Sequence, residues 1–185
     1  RSQGFGPTYD YRTDRSSFFG NLTGKPGAGV YVSTDNGETW SNDNPTSAGA
    51  EDVTGPFTDI MKVIVHKGIL YIGTAQGLYY SDDNLQSVQL VEGTDFIKQN
   101  VVFDLEVAGT GNDERIYASI HIDSDIPTDS IFYAPVTGGT PTFQAVVDEQ
   151  LVGIGSPFFD NRSQRTEIAV APSNPNIIYV ASTQA

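Results

Sequence analysis

Cysteine is absent from this chain, which excludes disulfides and thiolate metal sites. That absence fits a cytosolic protein and a bacterial exported protein equally well. Basic residues are scarce: 10 Lys and Arg stand against 23 Asp and Glu, a net charge of −13. Nucleic acid is thereby disfavoured as a partner, because phosphate binding needs a basic footprint. Acidity of this kind serves solubility. No apolar run approaches the ~18 residues of a membrane-spanning helix, so no membrane span is expected. No window keeps apolar residues at spacings of three and four, so almost no helix is expected. No leader segment is visible, and the start at Arg1 without Met reads as a processed or excised chain.

What is present points one way. A length of 185 residues suggests one domain, and 38% hydrophobic with 11% aromatic residues is enough for a core. The 19 Gly and 10 Pro, set among many β-branched residues, favour an all-β fold of short strands and turns.

The most informative stretch is Gly29-Val30-Tyr31-Val32 followed by Ser33-Thr34-Asp35-Asn36-Gly37-Glu38-Thr39-Trp40. It reads as a strand over 29–33, a tight turn and a second strand starting at Trp40. Asp35 is placed to accept hydrogen bonds from nearby backbone N–H groups and lock the loop. Gly37 supplies a positive φ at little steric cost, and the Thr39 hydroxyl adds a local bond. Trp40, the only Trp, is expected to wedge into an apolar layer beside the hairpin. The pattern Ser-x-Asp-x-Gly-x-Thr-Trp resembles the Asp-box of BNR-repeat β-propellers, such as sialidases, sortilin-type receptors and xyloglucanase-like hydrolases. The resemblance makes Ser33, Asp35, Gly37, Thr39 and Trp40 structural rather than catalytic.

The rest of the chain reads as repeated four-stranded units. Residues 1–28 form a long loop and 41–58 a polar connection. Strands are expected at 60–65, 69–73, 77–81 and 86–91. Gly77 to Asp83 parallels Gly29 to Asp35, but this copy lacks the Gly and the Trp and is a degenerate Asp-box. The next unit has strands at 101–107, 115–120, 131–135 and 142–147; a last one has strands at 166–172 and 177–181. Tyr71 and Tyr117 are 46 positions apart, within the roughly 40–50 of a propeller blade. Tyr117 and Tyr179 are 62 apart, stretched by an insertion at 148–165. The first strands are nearly continuously apolar, as a sheet covered on both faces requires. A β-sandwich, which gives cleaner alternation, is the alternative.

The expected organisation is therefore a β-propeller fragment. Residues 1–58 give the second half of a blade with long loops, 59–91 and 100–147 a blade each, and 166–185 the first half of another. Such an arc cannot close a ring, so the partners expected are further blades, on this protein or on another chain. The segment 168–179 also resembles the inner hairpin of sortilin-like and xyloglucanase-like propellers.

Antiparallel blades gather the long connections 1–28, 41–58, 92–99, 121–130 and 148–165 at one end, the expected binding side of a repeat fold. Three clusters lie there. His121, Asp123, Asp125 and Asp129 offer hard oxygen ligands able to hold Ca²⁺; the alternative is a solvated acidic loop. Phe158, Phe159, Asp160 and Arg162 offer aromatic stacking with a carboxylate or sugar clamp, against an insertion folded on its own aromatics. Tyr9 and Tyr11, beside Asp10, Arg12, Asp14 and Arg15, offer a glycan platform.

Catalytic motifs are largely missing. Gly20 to Pro26 fails as a phosphate loop, and no His-Glu-x-x-His or Gly-x-Ser-x-Gly occurs. Asp59, Asp104, Asp123 and Asp160 are available carboxylates, but an inverting hydrolase needs two of them facing each other. His66 falls in a short turn at the opposite end and reads as a surface residue. Asn21-Leu22-Thr23 and Asn161-Arg162-Ser163 are sequons that matter only in a eukaryotic secretory route. The resemblance implies a secreted or cell-surface binding or scaffold module for protein or glycan, with no cofactor apart from the calcium alternative. A glycoside hydrolase completed by further blades and a structural part of a surface assembly are the rival expectations.

Overall fold

A computed structural model describes residues 27–47, 55–91, 101–122, 128–136, 142–145, 163–171 and 173–184. The protein is all-β, built from antiparallel sheets. The first sheet has the order β1 (Ile60–His66), β2 (Ile69–Thr74), β3 (Gly77–Ser81), β4 (Gln89–Leu90). The second has the order β5 (Val101–Ala108), β6 (Arg115–Ile122), β7 (Thr128–Pro135), β8 (Gln144–Ala145). The third pairs β9 (Ser163–Val170) with β10 (Ile178–Gln184). Among the described residues only Pro56–Thr58 and Gly111–Asp113 turn as short 3-10 segments. No helix among them is long and apolar enough to cross a membrane.

Local chemistry sets these elements. β1 and β2 are rich in β-branched residues, which fit a pleated surface. Lys67 and Gly68 join them with φ of 48° and 80°, the double positive φ of a tight hairpin turn whose twist matches the strands. All three sheets carry a bulge at the start of the first strand: between Ile60 and Lys62, between Val102 and Asp104, and opposite the Thr183/Gln184 step of β10. An extra residue there re-aims the side chain that follows it.

The sheets stack in chain order and in the same sense. Gly73 of β2 lies so close to β5 that a Cβ on it would sit 2.9 Å from Val102 Cγ1. At the hairpin end, the Gly109 amide donates to the Pro175 carbonyl at 2.8 Å. The second sheet is thus covered by the first on one side and by the third on the other. It does not share one interior with a single facing sheet, and β5 is largely buried along its length for that reason. The apolar cluster between sheets one and two holds Tyr71, Leu78 and Val91 against Val102, Leu105, Ile116, Phe132 and Phe143. Full burial of each such side chain stabilises by about 1.5–3 kcal/mol.

Both outer sides of the stack expose apolar residues. Val63 and Val65 of β1, and Ile177 and Tyr179 at β10, are exposed apolar residues. They lie on the outer members of the stack, while β5 of the middle sheet is largely buried.

One expected strand is not formed. Residues 29–33 make only an isolated bridge, Val32 with Ser41. Asparagine side chains do part of the ladder's work: Asn44 Nδ2 donates to the Val30 carbonyl at 2.9 Å and Asn42 Nδ2 to the Ala28 carbonyl at 3.1 Å. The fourth strands are also shorter than expected, two residues each in β4 and β8.

Candidate functional site

The Ser33–Trp40 turn is closed by its own side chains. Asp35 Oδ1 accepts from the Ser33 hydroxyl at 2.8 Å and from the Thr39 amide at 2.9 Å; Oδ2 accepts from the Thr39 hydroxyl at 2.5 Å. The Ser33 hydroxyl oxygen in turn accepts from the Gly37 amide at 2.8 Å. Asn36 and Gly37 hold φ of 58° and 92°. The Thr39 hydroxyl, then the Thr39 amide and the Ser33 hydroxyl, favour the charged carboxylate and hold the Asp35 pKa down at about 2.

The same turn recurs over Ser81–Ser87. Asp83 Oδ1 accepts from the Ser81 hydroxyl at 2.9 Å and the Ser87 amide at 3.0 Å; Oδ2 accepts from the Ser87 hydroxyl at 2.6 Å. The Leu85 amide donates to Ser81 Oγ at 2.9 Å, as Gly37 does to Ser33. Asn84 and Leu85 take φ of 58° and 63°. Led by the Ser87 hydroxyl, these bonds hold the Asp83 pKa at about 2 as well. The bonds call for a hydroxyl at Ser81 and Ser87 and for backbone amides, so the copy forms without Gly or Trp. Leu85 bears a left-handed backbone that costs an L residue about 1–2 kcal/mol. It offsets that by burying its side chain to 5% exposure.

Trp40 departs from expectation. It is 63% exposed and does not wedge into an apolar layer. Its indole Nε1–H donates to the Gly37 carbonyl at 3.1 Å, which lays the ring along its own turn. Between the two turns lies a cleft of about 560 Å³, with Thr39, Trp40 and Pro45 on one wall and Asn84, Leu85 and Gln86 on the other.

A second constellation is buried between sheets. Asp104, 2% exposed, follows the bulge of β5 and faces both neighbours. Its Oδ1 lies 2.8 Å from Lys62 Nζ of the first sheet. Its Oδ2 accepts from the Ile168 amide of the third at 2.8 Å. Lys62 also reaches Glu106 at 3.2 Å, and the Asp104 hydrogen bond, the largest cause, raises the lysine's pKa. Ser119 donates to the Thr166 carbonyl at 2.6 Å beside this site. Asp104 is therefore committed to joining sheets and presents no free carboxylate. Asp59 is near it in neither sequence nor bonding; it accepts from the Thr58 hydroxyl at 3.1 Å, and burial pushes its pKa up.

His66, expected as a surface residue of a short turn, is half-buried at the end of β1. It closes β1 with Nε2 3.1 Å from Glu114 Oε1, and Lys67 pairs with the same carboxylate. Lys67 first, then His66, lowers the Glu114 pKa. This links the first hairpin turn to the start of β6.

Of the residues expected at the long-connection end, His121 and Asp129 are brought directly opposite each other as a β6–β7 pair. Tyr9, Tyr11, Asp123, Asp125, Phe158, Phe159, Asp160 and Arg162 lie outside the described residues. Among the described residues no three His, Asp or Glu side chains gather as a metal group. The antiparallel order puts the last residues of β4, β6 and β8 and the first of β7 at the end of the sheets where β1, β5 and β9 begin. Compared with known proteins, the chain matches no family model, no curated protein and no solved structure, so its reading rests on its own residues.

Proposed function

We propose that the chain is a run of consecutive blades from an Asp-box β-propeller that acts, secreted or at a cell surface, as a binding or scaffold module. The observation that carries this reading is the stack itself. Three sheets lie in chain order and in one sense, the first strand of each beside the first strand of the next, with the first strand of the middle sheet largely buried between its neighbours. The open apolar residues Val63, Val65, Ile177 and Tyr179 suit further blades on either side. The paired turns at Asp35 and Asp83 support the Asp-box assignment.

Ligand recognition, of a glycan or a protein, belongs in this reading to the end from which the long connections depart. His121 and Asp129 mark its described edge. A glycan array and a pull-down with the full chain test it. Binding that is lost on His121→Ala with Asp129→Ala, without turnover, is the expected result. Glycan hydrolysis abolished by one carboxylate substitution at this end would replace the binding module with a hydrolase.

A further inference from the structure

We propose that the cleft between the two repeated turns is a separate binding site for an uncharged oligosaccharide. It lies at the hairpin end of the sheets, where Asp43 and Pro45 also stand, although the connection 41–58 is expected at the other end. The indole of Trp40 is the central observation. It is exposed, yet its orientation is fixed through Nε1–H to the Gly37 carbonyl. A fixed, open aromatic plane offers the C–H face of a sugar ring a large apolar contact at little entropic cost.

The polar lining discriminates among ligands. Asp43, Asn84 and Gln86 line the cleft and are exposed, and their side chains make no hydrogen bond among the described residues. They supply acceptors and amide donors for hydroxyl groups. An apolar protein side chain seated here would leave those groups desolvated and unpaired, at a cost of about 1–3 kcal/mol each. Among the described residues no Lys or Arg lines the cleft, and the chain carries a net charge of −13, so acidic sugars are disfavoured. A volume of about 560 Å³ suits a short oligosaccharide.

The chain's single Trp makes its emission a report on this cleft alone. The full chain is titrated with cellohexaose, mannohexaose and chitohexaose, and with trigalacturonate as the acidic comparison. A saturable change in emission with at least one neutral sugar, and none with the acid, is expected. The double variant Asn84→Ala/Gln86→Ala should weaken binding about tenfold, as the loss of one or two hydrogen bonds implies. Trp40→Ala, followed by calorimetry, should remove binding while the circular dichroism spectrum stays unchanged. His121→Ala with Asp129→Ala should leave this titration unaffected, which separates it from recognition at the other end. The proposal is overturned if no neutral sugar perturbs Trp40 at millimolar concentration, if trigalacturonate binds equally well, or if affinity survives both cleft variants.

Discussion

The Asp104 carboxylate and the Ile168 backbone amide, 64 positions apart in the chain, meet at 2.8 Å in the buried space between two sheets. With Lys62 on the other oxygen, one side chain ties three sheets together. Asp104→Ala strands the amide and leaves the lysine unpaired, and it should destabilise the fold by about 2–3 kcal/mol. Asp104→Asn keeps one acceptor and should cost less. Glu106→Ala removes a half-exposed partner of Lys62 and should cost under about 1 kcal/mol. Urea denaturation of the three variants gives the ranking.

Gly73 and Val102 set how closely the first two sheets approach. Gly73→Ala places a methyl group 2.9 Å from Val102 Cγ1, so overpacking should cost about 1–3 kcal/mol. Adding Val102→Ala makes room, and the double variant should be more stable than the sum of the single losses predicts. A double-mutant cycle by thermal melting measures that coupling.

Leu85 combines an unfavourable backbone with a buried side chain. Leu85→Ala keeps the positive φ and loses the packing, and should cost about 2 kcal/mol or more. Leu85→Gly loses the same packing but relieves the backbone, and should be the milder of the two despite removing more atoms. At the exposed equivalent, Gly37→Ala meets only the Trp40 ring, at 3.8 Å. Its penalty should therefore be conformational alone, about 1 kcal/mol. Chemical denaturation of all three variants compares the two turns.

Asp35 and Asp83 both have folded pKa values of about 2, below the ordinary 3.8. A lowered carboxylate contributes stability above its unfolded value, and that contribution disappears as pH falls through the folded one. Both turns should therefore loosen between about pH 4 and about pH 2. Carbon-13 titration of the two carboxyls should show the low midpoints. Thr39→Val and Ser87→Ala, which remove the leading hydrogen bond in each turn, should raise them.

Much of this architecture is legible in the sequence because it is local. β-Branched runs bounded by Gly, Asn and Pro announce β1, β2, β5, β6 and β10 within a few residues, and Ser33 to Thr39 carries its own bonding partners. The second turn is harder to read. Its bonds need only Ser81, Asp83, Ser87 and backbone amides, so it reads as a degenerate copy although Leu85 stands where a glycine is expected. The strand at 29–33 fails for a different reason: Asn44 bonds the Val30 carbonyl, and Asn42 that of Ala28 just before it, through side chains, and propensity does not announce such substitutes. Trp40 and His66 depart from expectation because exposure depends on what lies across from a residue. The same holds for Asp104, one acidic residue among 23 acids until the neighbouring sheets arrive.

The order of the sheets is the claim on which the remainder depends, and a chain without cysteine allows it to be measured by paired spin labels. Val65→Cys and Tyr179→Cys place labels at exposed sites on the first and third sheets. Two successive inter-sheet spacings of about 10 Å predict a distance distribution centred at roughly 20 Å or beyond. A distribution centred below about 15 Å would mean that these two sheets face each other directly, contradicting the stacked arrangement.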